Sequence, residues 1–210
     1  MRRLTLPKLY AITDACLSGL AHDEQVLRLS EGGATLVQLR EKRADPREFY
    51  REAESALRVA RGRGVTLIVN DRADIALALK ADGVHLGQDD LDPAAARRLL
   101  GDDFIIGYST HDLSQIEAAS RLPVDYVAFG PVFQTRTKEN PDPVVGLELL
   151  SRARAALDPA LPLVAIGGVT RENAPDALAA GADSVAVVST LLSEPAEIAR
   201  RTRVFLDDLG

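Results

Sequence analysis

Leu67-Ile68-Val69-Asn70-Asp71-Arg72 and, a short stretch later, Val84-His85-Leu86-Gly87-Gln88-Asp89-Asp90 carry the pattern that decides the fold. Each is a compact apolar run that stops abruptly in polar residues or glycine. Buried parallel strands read as near-continuous apolar runs, and α/β proteins place their chemistry at the carboxyl ends of such strands. The pattern recurs on both sides. Before it stands Leu36-Val37-Gln38-Leu39-Arg40-Glu41-Lys42, and after it Ile105-Ile106-Gly107-Tyr108-Ser109-Thr110 and Val127-Ala128-Phe129-Gly130. Val164-Ala165-Ile166-Gly167-Gly168 and Val185-Ala186-Val187-Val188-Ser189 complete the series. An initial strand at Leu9-Tyr10-Ala11-Ile12-Thr13-Asp14 brings the strands to eight.

Helical patterns fill the intervals. After Pro46, the residues Phe49, Ala53, Ala56, Leu57 and Ala60 recur with helical spacing and share one face, with Arg and Glu opposite. Asp92-Pro93 reads as a cap followed by proline at the first helical position. A third helix is expected after Thr170, with Thr170 as N-cap and Gly181 as the glycine at its end. Strict βα alternation demands a parallel sheet. Units of roughly 25 residues, eight in number, suit a closed ring. The fold class is therefore α/β, a single-domain (β/α)8 TIM barrel over residues 1–210. An open doubly wound sheet is the alternative. The barrel is preferred because functional-looking residues follow nearly every strand and a ring gathers them at one mouth. A GxGxxG fingerprint and a Walker loop are absent from the sequence.

Composition narrows the functions. The 210 residues are 46% hydrophobic, carry a formal charge of −6 and contain Cys16 as their single cysteine, so an intrachain disulfide is excluded. The acidic balance and the 4% aromatic content argue against a nucleic-acid surface. No apolar stretch approaches the roughly 18 residues of a membrane span. The expectation is a soluble cytoplasmic protein acting on small molecules, with no nucleic-acid or membrane partner and compatible with a homo-oligomer.

Asp71 and the Asp89-Asp90 pair end neighbouring strands, which lie about 4.8 Å apart, so their carboxylates can share a hard cation such as Mg²⁺. Their blander reading is as caps or solvated turn aspartates. Gly167-Gly168 and Val188-Ser189 follow strands seven and eight, where barrels often bind a phosphate on backbone N–H groups. Arg40, Lys42 and Lys138 are candidate cations, Lys138 lying on a proline-rich loop after Thr135-Arg136-Thr137, whereas Arg43, Arg47 and Arg51 read as solvated. His22 is expected to be exposed and His85 to be a packed strand residue. His111 lies near the mouth with no nucleophile beside it. Ser109 has no evident histidine–carboxylate partners and reads as a hydrogen-bond donor. No covalent catalyst is evident.

The segments LYAITD, VQLREK, VNDRADIAL, GVHLGQDD, STH, FGPVFQTRTK, AIGGV and VAVVS, in this order and spacing, resemble the thiamine-phosphate synthase family along almost the whole chain. The resemblance implies a barrel that joins an aminopyrimidine diphosphate to a thiazole phosphate, with or without an extra carboxylate, and releases pyrophosphate. It implies pyrimidine-diphosphate contacts from Gln38, Leu39, Arg40, Glu41, Lys42, Asn70, Ser109 and Lys138. Of these, Arg40, Lys42, Ser109 and Lys138 would be catalytic. Asp71 and Asp90 would hold Mg²⁺, and Thr135, Arg136, Thr137, Gly168, Val188 and Ser189 would form the thiazole-phosphate site. The implied reaction is dissociative, through a carbocation-like pyrimidine, and needs no histidine base. Two rival readings are a thiazole tautomerase of the same superfamily and a non-catalytic barrel binding thiamine metabolites. The tautomerase would carry a histidine where Pro131 stands and altered metal aspartates. The binding protein would have lost Lys138 or the metal pair.

Overall fold

The computed structural model describes residues 5–135 and 142–210. The expected site residues Arg136, Thr137 and Lys138 lie outside the described residues. Eight strands, β1 (Leu9–Ile12), β2 (Leu36–Leu39), β3 (Thr66–Asn70), β4 (Gly83–Leu86), β5 (Ile105–Thr110), β6 (Tyr126–Phe129), β7 (Leu163–Ile166) and β8 (Ser184–Val187), close into a barrel in sequence order. Every neighbouring pair is parallel, and β8 returns to β1 with Val185, Ala186 and Val187 opposite Leu9, Tyr10 and Ala11. The helices are α1 (Ala15–Ser18), α2 (His22–Glu31), α3 (Pro46–Arg63), α4 (Ala73–Leu79), α5 (Pro93–Leu100), α6 (Leu113–Ala119), α7 (Gly146–Ala156), α8 (Ala174–Ala179), α9 (Ser189–Leu192) and α10 (Ile198–Leu209). Among the described residues, no helix is long and apolar enough to cross a membrane.

Local chemistry explains the boundaries. Asp45 accepts from the N–H groups of Arg47 and Glu48, Pro46 opens α3, and Gly64, at φ 66°, ends it in the left-handed region. The stripe Phe49, Ala53, Ala56, Leu57 and Ala60 is buried, as its spacing predicts. Asp92 caps α5 through the Ala95 N–H, with Pro93 in the first turn. Two expectations shift. β1 stops at Ile12 because the Asp14 side chain accepts from Leu17 N and starts α1. The helix expected directly after Thr170 begins only at Ala174, because Asn173 Oδ1 accepts from Thr170 N at 2.7 Å and holds residues 171–173 in a turn.

Strand alternation sorts the core into two layers. Leu9, Ala11, Val37, Leu39, Leu67, Val69, Val84 and Leu86 face the helices, and Tyr10, Ile12, Leu36, Ile68, Tyr126, Ala128, Val164 and Ala186 fill the barrel interior. All eight strands end at one face, and Arg40, Lys42, Asp71 and Asp90 stand just beyond the ends of β2, β3 and β4.

Candidate active site

The mouth begins with a pair of carboxylates. β3 ends at Asn70, and Asp71 turns out of the strand at φ 63° with its N–H donating to His85 O at 2.8 Å. Aspartate is one of the few residues with a side chain that visits this left-handed region readily. Asp90 follows β4 and folds back, its Oδ2 accepting from Gly87 N at 2.6 Å. Asp90 is half-buried and hydrogen-bonded to Asp71, whereas Asp89 is exposed. Burial pushes the Asp90 carboxyl above the ordinary aspartate range, and the charge of Asp71 adds to the shift. A cation placed against the pair would relieve both causes of that shift. Two hard oxygen donors in this condition suit Mg²⁺, which prefers one or two carboxylates plus water and phosphate oxygens.

Arg40 and Lys42, the candidate cations among the described residues, are both tethered. Lys42 Nζ lies 2.5 Å from Asp71 Oδ2. Arg40 Nη1 lies 2.8 Å from Asp14 Oδ2, at the end of β1, so Arg40 stands on the rim between β1 and β2. Glu41, between them, is engaged by its own loop and by His22. Its Oε1 accepts from the N–H groups of Lys42, Arg43 and Ala44, and its Oε2 faces His22 Nε2 at 3.2 Å. Burial opposes its charge, but the backbone donors of Arg43 and Ala44 and the His22 contact outweigh it, and the carboxyl titrates below its ordinary range. Glu41 thus braces the loop that carries Lys42. Leu39 turns its side chain into the layer between barrel and helices, which leaves only its main chain to approach a ligand.

His22 corrects the expectation of an exposed residue: it is 1% exposed. It sits between Thr13 Oγ1, at 2.8 Å from Nδ1, and the carboxylates of Glu41 and Glu52. Its place at a polar helix start suggested solvent, but α2 packs this end against the β2–α3 loop. His22, Glu41 and Glu52 are spaced for a metal ion. Glu41 already serves three N–H groups, and the group reads as a brace.

Ser109 has a histidine beside it that linear spacing did not reveal, though without the carboxylate of a triad. His85 Nε2 is 2.8 Å from Ser109 Oγ, and His85 Nδ1 is 2.9 Å from the Tyr126 hydroxyl. The Tyr126 hydroxyl is 2.8 Å from that of Tyr10, which accepts from Gln38 Nε2 at 3.1 Å. The second partner of the imidazole is the Tyr126 hydroxyl and not a carboxylate, so the arrangement is not a nucleophile triad. Burial holds the His85 pKa down at about 4 and pushes both tyrosine hydroxyls up. Sequence reading missed Tyr10 and Tyr126. The available signal was strand parity, which places Tyr10, Gln38, His85, Ser109 and Tyr126 inside one barrel, where buried polar groups must find partners. Asn70, paired in register with His85, closes this side of the mouth. Thr110 is buried with its hydroxyl on Ala128 O, and His111 Nδ1 lies 2.7 Å from Gly130 O; both tie the end of β5 to β6.

On the opposite side, the chain after β6 lies along the β7 loop. Val132 N donates to Ile166 O at 2.8 Å and Phe133 N to Gly167 O at 2.9 Å. A Cβ on Gly168, at φ +65°, would meet Gln134 O at 2.3 Å. Thr135 is therefore carried directly past Gly168. Asn173 Nδ2 donates to Gly168 O at 3.0 Å, and Thr190 Oγ1 donates to Val169 O at 2.8 Å. The latter bond ties the β7 loop to α9, where Val188 and Ser189 stand.

The family model described as thiamine monophosphate synthase matches residues 9–191. The thiamine-phosphate synthase of Koribacter versatilis is 47% identical over 199 residues, covering 91% of this chain and 92% of that protein. That of Chloroflexus aurantiacus is 46% identical over 187 residues, covering 89% and 85%. The solved thiamine phosphate pyrophosphorylase from Pyrococcus furiosus superposes with a TM-score of 0.83 at 34% identity, covering 97% of both chains. A barrel with this mouth, matched along nearly its full length, belongs to the thiamine monophosphate synthase family.

Proposed function

We propose that the protein is a thiamine-phosphate synthase that joins an aminopyrimidine diphosphate to a thiazole phosphate and releases pyrophosphate. The observation that carries this reading is the clustering of Asp71, Asp90 and Lys42 at the same barrel mouth as the glycine loop at Gly167-Gly168. The buried Pro131, with Asp71 and Asp90 in place, favours the synthase over a tautomerase. Mg²⁺ held by Asp71 and Asp90 would supply positive charge to the diphosphate.

Lys42, Arg40 and Lys138 are assigned to the phosphate oxygens, where cations stabilise the negative charge that grows on the leaving group. Gln38, Asn70 and Ser109 hold the pyrimidine so that its methylene faces the second substrate. Thr135, Arg136, Thr137, Gly168, Val188 and Ser189 hold the thiazole phosphate, so that the thiazole nitrogen is positioned at that methylene as the C–O bond to diphosphate breaks. Its lone pair forms the new C–N bond, and pyrophosphate leaves with the electrons of the broken one. Such positioning supplies much of a two-substrate rate enhancement. A water-soluble metabolic enzyme in the cytoplasm fits this chemistry.

The test is pyrophosphate release from both substrates, with Mg²⁺ present or omitted. Release that requires both substrates and the metal is the expected result; no release under full conditions overturns the reading. The two substrate sites separate through Gly168→Val. The new side chain would collide with the Phe133–Gln134 backbone and would have to adopt the left-handed conformation at φ +65°, which β-branched residues avoid, strain worth roughly 1–3 kcal/mol. Affinity for the thiazole phosphate should fall about 10–100-fold, while calorimetry should show pyrimidine-diphosphate binding retained. The opposite pattern would reverse the assignment of the two sides.

A further inference from the structure

The polar file through the barrel interior joins two residues assigned above to the pyrimidine substrate, Gln38 on β2 and Ser109 on β5. The residues between them, Tyr10, Tyr126 and His85, are 1%, 0% and 5% exposed. Their side-chain hydrogen bonds run only along the file among the described residues. Each hydroxyl owns one hydrogen and a neutral imidazole owns one N–H, so direction is conserved from link to link.

Gln38 Nε2 can only donate, and it donates to Tyr10 Oη. The Tyr10 hydrogen then has one acceptor, Tyr126 Oη. The Tyr126 hydrogen goes to His85 Nδ1, which puts the imidazole proton on Nε2, facing Ser109 Oγ. Ser109 is left with its own O–H to donate into the mouth. Gln38 Oε1, which has no partner among the described residues, remains as an acceptor. Reversing one link forces all to reverse: Gln38 would then present its NH₂ group, and Ser109 only lone pairs. The two ends therefore always have opposite hydrogen-bonding character.

We propose that Tyr10, Tyr126 and His85 are positioning residues that fix Gln38 as an acceptor and Ser109 as a donor for the aminopyrimidine diphosphate, and that neither end changes character without the other. The proposal rests on the synthase reading. It is matched to the ligand's chemistry, since an exocyclic amine needs an acceptor whereas ring nitrogens and phosphate oxygens need donors. Ser109 and Gln38 are separated by β3 and β4 around the ring, so the coupling runs through the interior and not along the sheet.

Nitrogen-15 NMR of the histidine-labelled wild-type protein should show a single neutral His85 tautomer with the proton on Nε2. In Tyr126→Phe the same resonance should shift toward the other tautomer or a mixture. Kinetics should show the coupling. In the wild-type background, Gln38→Ala and Ser109→Ala should be non-additive in kcat/KM for the pyrimidine diphosphate by about tenfold. In the Tyr126→Phe background they should be additive within about twofold. Tyr10→Phe provides the same cycle should Tyr126→Phe fold poorly. A wild-type proton on Nδ1, or additivity in the wild-type background, overturns the proposal. Absence of pyrophosphate release by the wild type would instead defeat the synthase reading, while the tautomer would still decide the file.

Discussion

Asp71→Asn and Asp90→Asn should each lower turnover at saturating substrates and limiting Mg²⁺ by about 10²–10³, the several kcal/mol typical of a metal's charge stabilisation. The two carboxylates already contact one another, and Asp90 titrates high because burial and the charge of Asp71 oppose its ionisation. Asparagine keeps the shape and removes the charge, so the folded structure should persist. Unchanged activity in both variants would place the metal elsewhere.

The same pair predicts a pH dependence. A carboxyl whose folded-state pKa is raised contributes stability that is fully present below its unfolded value, about 3.9 for aspartate, and is lost as pH rises through the folded value. Metal-free protein should therefore lose part of its stability on going from that value upward. Mg²⁺ should bind more tightly over the same interval as the retained proton dissociates. Asp90→Asn should flatten both trends. Melting curves across pH with and without Mg²⁺ test this, and a wild type whose metal affinity is flat with pH would contradict a raised Asp90 carboxyl in the metal site.

Gly107→Ala is expected to destabilise the protein by about 3 kcal/mol, a fall in Tm of roughly 6–12 °C for a chain of this size. Gly107 is paired in register with His85 on one side and Tyr126 on the other. The two rings meet over it, with centroids 5.5 Å apart. A Cβ there would lie 2.1 Å from Tyr126 Cζ and 2.6 Å from His85 Nδ1. Both rings are buried and cannot swing into solvent. Gly62, within α3 and with nothing near its virtual Cβ, is the control: Gly62→Ala should stabilise by roughly 0.5–1 kcal/mol. Equal melting temperatures for the two variants would mean that the interior tolerates displacement of the file.

The barrel was legible because each strand announces itself locally, by an apolar run and its abrupt end. The buried stripe from Phe49 to Ala60 and the Asp92-Pro93 helix start were legible for the same reason: their determinants lie within one element. Contacts between strands distant in sequence were not. Nothing near Ser109 announces His85, and nothing near Gly107 says that two rings converge on it. The burial of His22 depends on how α2 meets the β2–α3 loop, and Glu41 turns backward because three successive N–H groups need an acceptor. Residues of mixed character at a strand end show where chemistry is sited, but which of them face a ligand is settled by neighbours that linear spacing does not name.

The tethering of Arg40 by Asp14 and of Lys42 by Asp71 bears on the kinetics of encounter. These pairs leave the described part of the mouth with little net positive field, on a chain whose formal charge is −6. Long-range attraction accelerates association only where such a field exists, and it fades with added salt. A diphosphate approaching this rim gains little until it is close enough to exchange places with a carboxylate. Arg40 and Lys42 should therefore add little to the ionic-strength dependence of its association rate constant, a slope that stopped-flow mixing over a range of salt concentrations would measure.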